Sequence, residues 1–158
     1  MTLACSVRVA RTSDAGALAA LVNRAYAVEA FFVEGERTSA AEIAGMMAAG
    51  TFVVLEDATG LAAAVYVQPD RAYFGMLSVD PARQHCGLGK RLVTIAEAMA
   101  SAMGAPSVDL KIVNLREELA RWYKSLGYRE VGTAPYTHRP VKRACHFVEM
   151  RKSLVAAA

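Results

Sequence analysis

The 158-residue chain has no apolar stretch long and uninterrupted enough to span a bilayer, which takes about 20 residues. Residues 1–9 alternate as in a strand, and they lack the charged head and long apolar run of a secretory signal peptide. Both absences argue against membrane and secreted proteins. We therefore expect a cytoplasmic protein with no membrane partner.

Cysteine is scarce. Cys5, Cys86 and Cys145 are odd in number, far apart in the chain and form no C-x-x-C pair. The three histidines do not have the close spacing of metal ligands. Neither a disulfide framework nor a metal site is predicted.

The chain also lacks a large excess of charge of either sign. The formal net charge is +3, and the basic residues are spread along the chain, which does not favour a nucleic-acid partner. Hydrophobic residues make up 54% and charged residues 21%, enough apolar material for a packed core. We expect one domain over residues 1–158, because domains commonly contain about 100–200 residues.

The apolar periodicity predicts seven strands and four helices. The order is β-α-α-β-β-β-α-β-α-β-β, which indicates an α/β fold (α+β) with a mixed sheet and helices on its faces. Predicted strands cover residues 6–11, 51–56, 61–68, 72–79, 108–112, 128–133 and 144–150. Predicted helices run from Ser13 or Asp14 to about Ala30, from the capping box at Ser39 to Gly50, from the glycine loop through Met103, and over 119–126.

A glycine loop follows the strand 72–79 and leads into an amphipathic helix with a core stripe that includes Met103. Such a loop, with the N-terminus of a helix behind it, attracts phosphate. A dinucleotide-binding turn would need a third glycine at Leu92, and a nucleoside-triphosphate loop would need Ser or Thr at Arg91. Both alternatives fail on these residues.

The remaining pattern is Val79-x-Pro81-x-x-Gln84-x-x-Gly87-x-Gly89. It resembles the acyl-CoA-binding motif of the GCN5-related N-acetyltransferase (GNAT) superfamily. A second segment, Asn114 to Tyr128, resembles a later motif of that family, an Asn followed by a helix that ends Tyr-x-x-x-Gly-Phe/Tyr. It has about two more residues between its Asn and its Tyr than the commonest version. The element order matches the family over nearly the whole chain.

The resemblance implies acetyl-CoA as cofactor. The pyrophosphate would lie on the backbone amides of the loop, and the pantetheine arm would pair with the exposed edge of the fourth strand. The cofactor-binding residues implied in this way are Leu77, Ser78, Val79, Gln84, His85, Cys86, Gly87, Leu88, Gly89, Lys90 and Asn114. Cys86 is interpreted as a space-filling loop residue rather than a nucleophile, since no helper His or Asp pattern accompanies it.

The resemblance assigns Tyr123 as the general acid for the departing thiolate, whereas its helical spacing alone indicates a core residue. Asn114 has two interpretations that stay open, a cap of the following helix or a contact to cofactor or ordered water. The general base is not identified. Glu29, Glu34, Glu149 and a chain of waters are candidates, although each of these Glu residues is expected to be a solvated surface charge.

Residues 28–38 and 135–146 are expected on the acceptor side. Carboxylates in the first segment would suit a cationic amine, and basic residues in the second would suit an anionic group. The alternative is that both segments are ordinary exposed loops. The predicted function is acetyl-CoA-dependent N-acetyl transfer to a primary amine of a small molecule or peptide, by direct attack on the thioester. The alternative is a CoA-binding regulatory or sensor domain. A homodimer is common in the family, and no residue pattern decides it.

Overall fold

A computed structural model describes residues 4–155. The strands are β1 (Ser6–Val9), β2 (Thr51–Asp57), β3 (Gly60–Gln68), β4 (Tyr73–Val79), β5 (Ser107–Val113), β6 (Arg129–Pro135) and β7 (His146–Ser153). The α-helices are α1 (Ala15–Ala25), α2 (Ala40–Met46), α3 (Leu88–Ala102) and α4 (Glu117–Ser125). The predicted fold class and element order are confirmed. No helix among the described residues is long and apolar enough to cross a bilayer.

The strands form one seven-stranded sheet in the order β1-β2-β3-β4-β5-β7-β6. All neighbours are antiparallel except β4 and β5, which are parallel and pair only where Tyr73 lies opposite Asp109. β5 then continues along β7, from Ser107 opposite Ser153 to Val113 opposite Phe147. Beyond Tyr73, therefore, β4 and β5 are not paired with each other, and the facing backbone groups of β4 are left without a ladder partner.

A β-bulge bends β4 at Met76. Ala64 lies opposite Ser78 while Tyr66 lies opposite Gly75, so β4 has one residue more than β3 over this stretch. Met76 occupies the extra position with φ 49°, a left-handed conformation. The bulge changes which face the side chains point to, because Phe74 and Leu77, three positions apart, both pack in the core under α3.

Helices cover both faces of the sheet. α3 and α4 pack on one face, and α1 with α2 packs on the other. The predicted stripe of α3 is confirmed at Leu88, Leu92 and Ala96, which are buried, but is wrong at Met103, which is 63% exposed. Met103 lies beyond the last helical residue, and Gly104 at φ 84° turns the chain away from the core.

Several element ends differ from the predictions because pairing and packing set them. β1 ends at Val9 rather than residue 11, while β6 and β7 extend to Pro135 and Ser153 along their partners. Ser39 is the N-cap of α2 as predicted, since its hydroxyl accepts from the Glu42 amide at 3.2 Å, but the reciprocal bond of a capping box is not formed, because the Glu42 carboxylate contacts Thr38 and Arg139 instead. The first helix ends at Ala25, and the chain tightens into a 3-10 helix over Tyr26–Phe31. This tighter turn points Glu29 inward.

Candidate active site

The glycine loop forms a concave row of free backbone amides. Among the described residues, no amide from His85 to Lys90 donates to a protein acceptor, and the first helical hydrogen bond runs from Arg91 to the carbonyl of Gly87. His85 and Gly87 have φ of 68° and 78°, which aims successive amides into one concavity. Free amides at a helix N-terminus attract an anion, as the loop pattern predicted.

The two glycines serve different purposes. A Cβ on Gly87 would meet no atom within 4 Å, so its left-handed φ, and not crowding, favours glycine in the free protein. A Cβ on Gly89 would lie 3.4 Å from the Trp122 ring, an ordinary contact. Packing of α3 against α4 therefore does not require glycine at position 89, and the reason that remains is the one the loop pattern implies, close approach of a ligand to the backbone.

A cavity of about 520 Å³, here called the loop cavity, opens beside this loop. It lies between the end of β4, the start of α3 and the start of α4. Residues lining it include Leu77, Val79, Gln84, His85, Gly87, Leu88, Gly89, Lys90, Arg116, Glu118, Leu119 and Trp122. Eight of the residues predicted to bind the cofactor are thus brought to one cavity wall.

The other three predicted cofactor residues lie differently. Ser78 is buried and its hydroxyl donates to the Met76 carbonyl at 3.0 Å, so its side chain serves the bulge. Cys86 is exposed on the loop. Asn114 accepts from the His146 amide at 2.9 Å, which ties β5 to β7. The helix-cap interpretation of Asn114 is wrong, because Arg116 occupies the N-cap position of α4.

A second cavity, of about 590 Å³, is here called the aromatic cavity. Its walls carry five aromatic rings and both signs of charge. The aromatic and charged residues that line it are Tyr26, Tyr66, Tyr73, Tyr136, Phe147, Glu29, Arg37, Glu42, Lys111 and His138. The consecutive residues Met76 and Leu77 line the aromatic and the loop cavity respectively. The two cavities therefore lie back to back across β4, beside its unpaired edge.

A buried ion pair joins the walls of the two cavities. Glu29 lines the aromatic cavity, and its Oε2 accepts from Nη1 of Arg116, which lines the loop cavity, at 2.8 Å. Arg116 also pairs with Glu118. Burial raises the pKa of Glu29 above its ordinary value, and Arg116 opposes part of that rise. The carboxylate is therefore more basic than that of a surface glutamate.

This burial corrects one expectation. Glu29 was expected to be a solvated surface charge, yet only 5% of it is exposed, because the 3-10 helix turns it toward Arg116. Glu34 is exposed as expected, and Glu149 is half-buried opposite Lys111 in the β5–β7 ladder. Of the three carboxylates, Glu29 is the one that lines a cavity wall.

Tyr123 is buried in the core cluster that lies under α3. Its ring packs against those of Phe74, Trp122 and Tyr128, with centroids 6.3, 4.9 and 5.5 Å away. Burial raises the pKa of Tyr123, as do Tyr26 and Tyr73 of the aromatic cavity, while Arg116 lowers it. The side chain is therefore part of the core and also lies within electrostatic range of both cavities.

Several site residues were not singled out from the sequence. Arg116 opens an amphipathic helix, where an exposed basic residue is the ordinary interpretation, and Lys111 occupies an outward position in an alternating strand. Tyr26, Tyr66 and Tyr73 fit the apolar pattern of their own elements. No local signal distinguishes these residues, since only the folded sheet brings them together.

Among residues 4–155, no group of three or more His, Cys, Asp or Glu side chains is placed to hold a metal ion. The sequence matches the family model described as an acetyltransferase (GNAT) domain over residues 48–130, from just before β2 to the start of β6. No curated protein is significantly similar to the chain.

Many solved structures share the fold. One is yncA, a putative acetyltransferase from Salmonella typhimurium with its cofactor acetyl-CoA (20% identity, TM-score 0.75, 98% of this chain and 96% of that one). Another is the ribosomal-protein-S18-alanine N-acetyltransferase from Escherichia coli (18%, 0.69, 98% and 97%). A third is an aminoglycoside 6'-N-acetyltransferase complexed with coenzyme A (18%, 0.72, 97% and 99%).

Proposed function

Because the chain belongs to the GNAT acetyltransferase family, we propose that it moves an acetyl group from acetyl-CoA to the primary amine of a small molecule or peptide. The observation that carries the proposal is the pair of cavities back to back across the unpaired edge of β4. One has a loop of free backbone amides, and the other has a buried carboxylate with a raised pKa. Donor and acceptor can then meet where β4 and β5 separate.

The residues of the loop cavity fit acetyl-CoA. The free amides from His85 to Lys90 suit the pyrophosphate, and Lys90 adds positive charge. The unpaired edge of β4 offers backbone groups to the amides of the pantetheine arm, with Leu77 and Val79 as apolar wall. Bound acetyl-CoA supplies the activated acetyl thioester and leaves as the CoA thiol.

We assign Glu29 the role of proton acceptor for the amine. A lysine-like amine has a pKa of about 10.4 and must lose a proton before it attacks. Glu29 lines the aromatic cavity, and its raised pKa makes it a better base than a surface carboxylate. Arg116 holds it in place by the 2.8 Å contact and is a positioning residue.

We assign Tyr123 the role of hydrogen-bond donor to the departing sulfur. Because its pKa is raised, its phenol stays protonated at neutral pH. It is a weaker acid than a free tyrosine, whereas the departing CoA thiol has a pKa that resembles the roughly 8.5 of a cysteine thiol. The phenol therefore stabilises the developing thiolate by a hydrogen bond more than it gives up its own proton. The departing thiolate then takes its proton from solvent.

β4 contains no acidic residue that could act as a base, which favours the alternative function, a CoA sensor without turnover. Glu29 supplies a buried carboxylate from a different element, which weakens that argument. Release of free thiol in the presence of acetyl-CoA and a panel of amines tests the difference. Turnover supports the proposed enzyme, whereas binding of acetyl-CoA without thiol release from any amine contradicts it.

Cofactor choice is tested separately by thermal unfolding. Acetyl-CoA at about a hundred times its dissociation constant should stabilise the fold by roughly 2.7 kcal/mol. NAD and ATP at equal concentrations are the controls. A rise in Tm with NAD or ATP, and none with acetyl-CoA, would overturn the assignment of the loop.

A further inference from the structure

The charges of the aromatic cavity are unevenly compensated. Its two carboxylates are paired, Glu29 with Arg116 at 2.8 Å and Glu42 with Arg139. Its two cations, Arg37 and Lys111, have no carboxylate within 4.0 Å among the described residues, although Glu149 lies opposite Lys111 in the β5–β7 ladder and Arg37 acts electrostatically on Glu29 and Glu42. The cavity wall therefore presents two positive charges that are not in ion pairs, and such a wall favours an anionic ligand group.

Aromatic rings, in place of carboxylates, hold the two cations. The Arg37 guanidinium lies 5.5 Å from the Tyr26 ring centroid, and the Lys111 ammonium lies 5.9 Å from that of Phe147. A cation on an aromatic face is positioned while its hydrogen-bond donors stay available. Arg37 is half-buried, so a new ionic contact there is less screened by water than one on the surface.

A third donor faces the same region. The Tyr136 hydroxyl is buried with no hydrogen-bond partner among residues 4–155, and a buried donor without a partner is destabilising. Burial raises the pKa of Tyr136, Arg37 lowers it and Glu29 raises it, so Tyr136 lies within electrostatic range of both. An oxygen of a bound anion would satisfy this hydroxyl.

His138 adds a neutral group beside the cations. Partial burial lowers the pKa of His138, and Arg37, Lys111 and Arg139 lower it further, which favours the neutral imidazole. The cavity thus has a basic part around Arg37 and Lys111. Its acidic part is Glu29, which is placed to take the amine proton.

We infer that the acceptor is a small zwitterion, an amine that also carries a carboxylate or similar anionic group, with the anion on Arg37 and Lys111 and the amine at Glu29. The inference rests on the proposed acetyl transfer. A cation without an anionic group would meet two uncompensated positive charges. A cavity of about 590 Å³ also suits a small molecule.

The first test compares matched acceptors in the thiol-release assay with acetyl-CoA. Each α-amino acid is measured beside its amide and its decarboxylated amine, which keep the amine and lose the anion. We expect kcat/KM to be at least tenfold higher for the best acids than for their own amides. Equal or higher values for the amides would overturn the inference while leaving the proposed function intact. No thiol release from any compound would instead contradict the proposed function.

The second test removes the cation. Arg37→Gln should lower kcat/KM for the acid roughly 10–100-fold, mainly through KM, and leave that for the amide nearly unchanged. Arg143→Gln is the matched control, because Arg143 lies 5.8 Å from the Phe31 ring centroid and outside the cavity lining. The control should behave as wild type. An equal loss for acid and amide in Arg37→Gln would assign Arg37 a structural role and overturn the inference.

The third test needs no turnover. Calorimetry with an N-acetylated amino acid, which keeps the carboxylate, measures binding to the wild-type protein and to both variants in the absence of donor. Arg37→Gln should raise the Kd roughly 10–100-fold. Unchanged binding would overturn the anion site even if acetyl transfer is established. A loss confined to Arg37→Gln would support the site even if acetyl transfer fails.

Discussion

The loop cavity and the aromatic cavity are built in opposite ways. Most of the loop cavity comes from one stretch, residues 77–90, and its polar groups are chiefly backbone amides. The aromatic cavity takes side chains from the 3-10 helix after α1, from α2, from the four strands β3, β4, β5 and β7, and from residues 136–138. Recognition by backbone amides depends on where the glycines stand in the sequence and on the local order of strand, loop and helix. Side-chain recognition depends on which elements the sheet brings together.

The two cavities are nevertheless coupled. Glu29 and Arg116 contact each other across the boundary, and both are largely excluded from water, with side-chain exposures of 7% and 12%. Tyr123 lies within electrostatic range of both walls. A change at the boundary should therefore affect catalysis more than a change on either wall, and the following variants test that ranking.

The largest effect is expected at Tyr123, on the boundary. Tyr123→Phe keeps the ring and removes the hydroxyl that donates to the developing thiolate, so kcat should fall roughly 10²–10³-fold while Tm and the Kd for acetyl-CoA change little. Steady-state kinetics at saturating acceptor and a melting curve give the measurement.

Tyr128→Phe is the matched control for Tyr123. Its ring belongs to the same aromatic cluster, but its hydroxyl donates to Glu97 at 2.7 Å, away from both cavities. This variant should lose about 1–3 kcal/mol of stability and keep its turnover. If Tyr123→Phe turns over like wild type, Tyr123 is a core residue only.

The next largest effect is expected at Glu29. Glu29→Gln keeps the shape and removes the base, so kcat/KM should fall roughly 10²-fold, within the range for general bases. Because the pKa of Glu29 is raised above 4.5, activity that needs its ionised form should fall as the pH drops toward that raised pKa. The variant should lose this acidic limb of the pH profile.

Glu34→Gln and Glu149→Gln are the controls for Glu29. Glu34 is exposed and Glu149 is half-buried in the β5–β7 ladder, outside the cavity lining. Both variants should keep the wild-type rate and its pH profile. If either one loses the acidic limb while Glu29→Gln keeps it, the base has been assigned to the wrong residue.

A smaller effect is expected for a backbone change in the loop cavity. Gly87→Val should raise the Kd for acetyl-CoA tenfold or more, because a β-branched residue resists φ 78° and its side chain extends toward the pyrophosphate. Gly104→Val at the other end of α3 is the control, with φ 84° and no atom within 4 Å of a Cβ. It carries similar strain but should not change the Kd. Equal Kd values for both variants would contradict a phosphate-binding loop.

The smallest effect is expected for a side-chain change in the same loop. Cys86 is exposed and contributes its amide, so Cys86→Ala should leave the Kd for acetyl-CoA within about twofold of wild type. Calorimetry on the two proteins gives the answer. A large loss would show that this loop recognises its ligand through side chains, and the contrast between the two cavities would then be wrong.

The sequence alone determined the order of elements, the buried stripe of α3 at Leu88, Leu92 and Ala96, and the loop at Gly87. These features are local. Helical and strand periodicity report which face is buried, and a glycine at a turn before a helix reports a left-handed conformation wherever it occurs. The extension of the stripe to Met103 failed because periodicity does not mark where the last turn ends.

Only the tertiary structure determined the composition of the aromatic cavity. Glu29 is one acidic residue among many until the 3-10 helix after Ala25 buries it against Arg116, which is 87 positions away. Arg37 and Lys111 become uncompensated cations only once the neighbouring acids have found other partners. Burial, pairing and pKa depend on groups from distant segments, and the free energy of a charge depends on what surrounds it. Such properties are absent from local sequence and arise only when the sheet assembles.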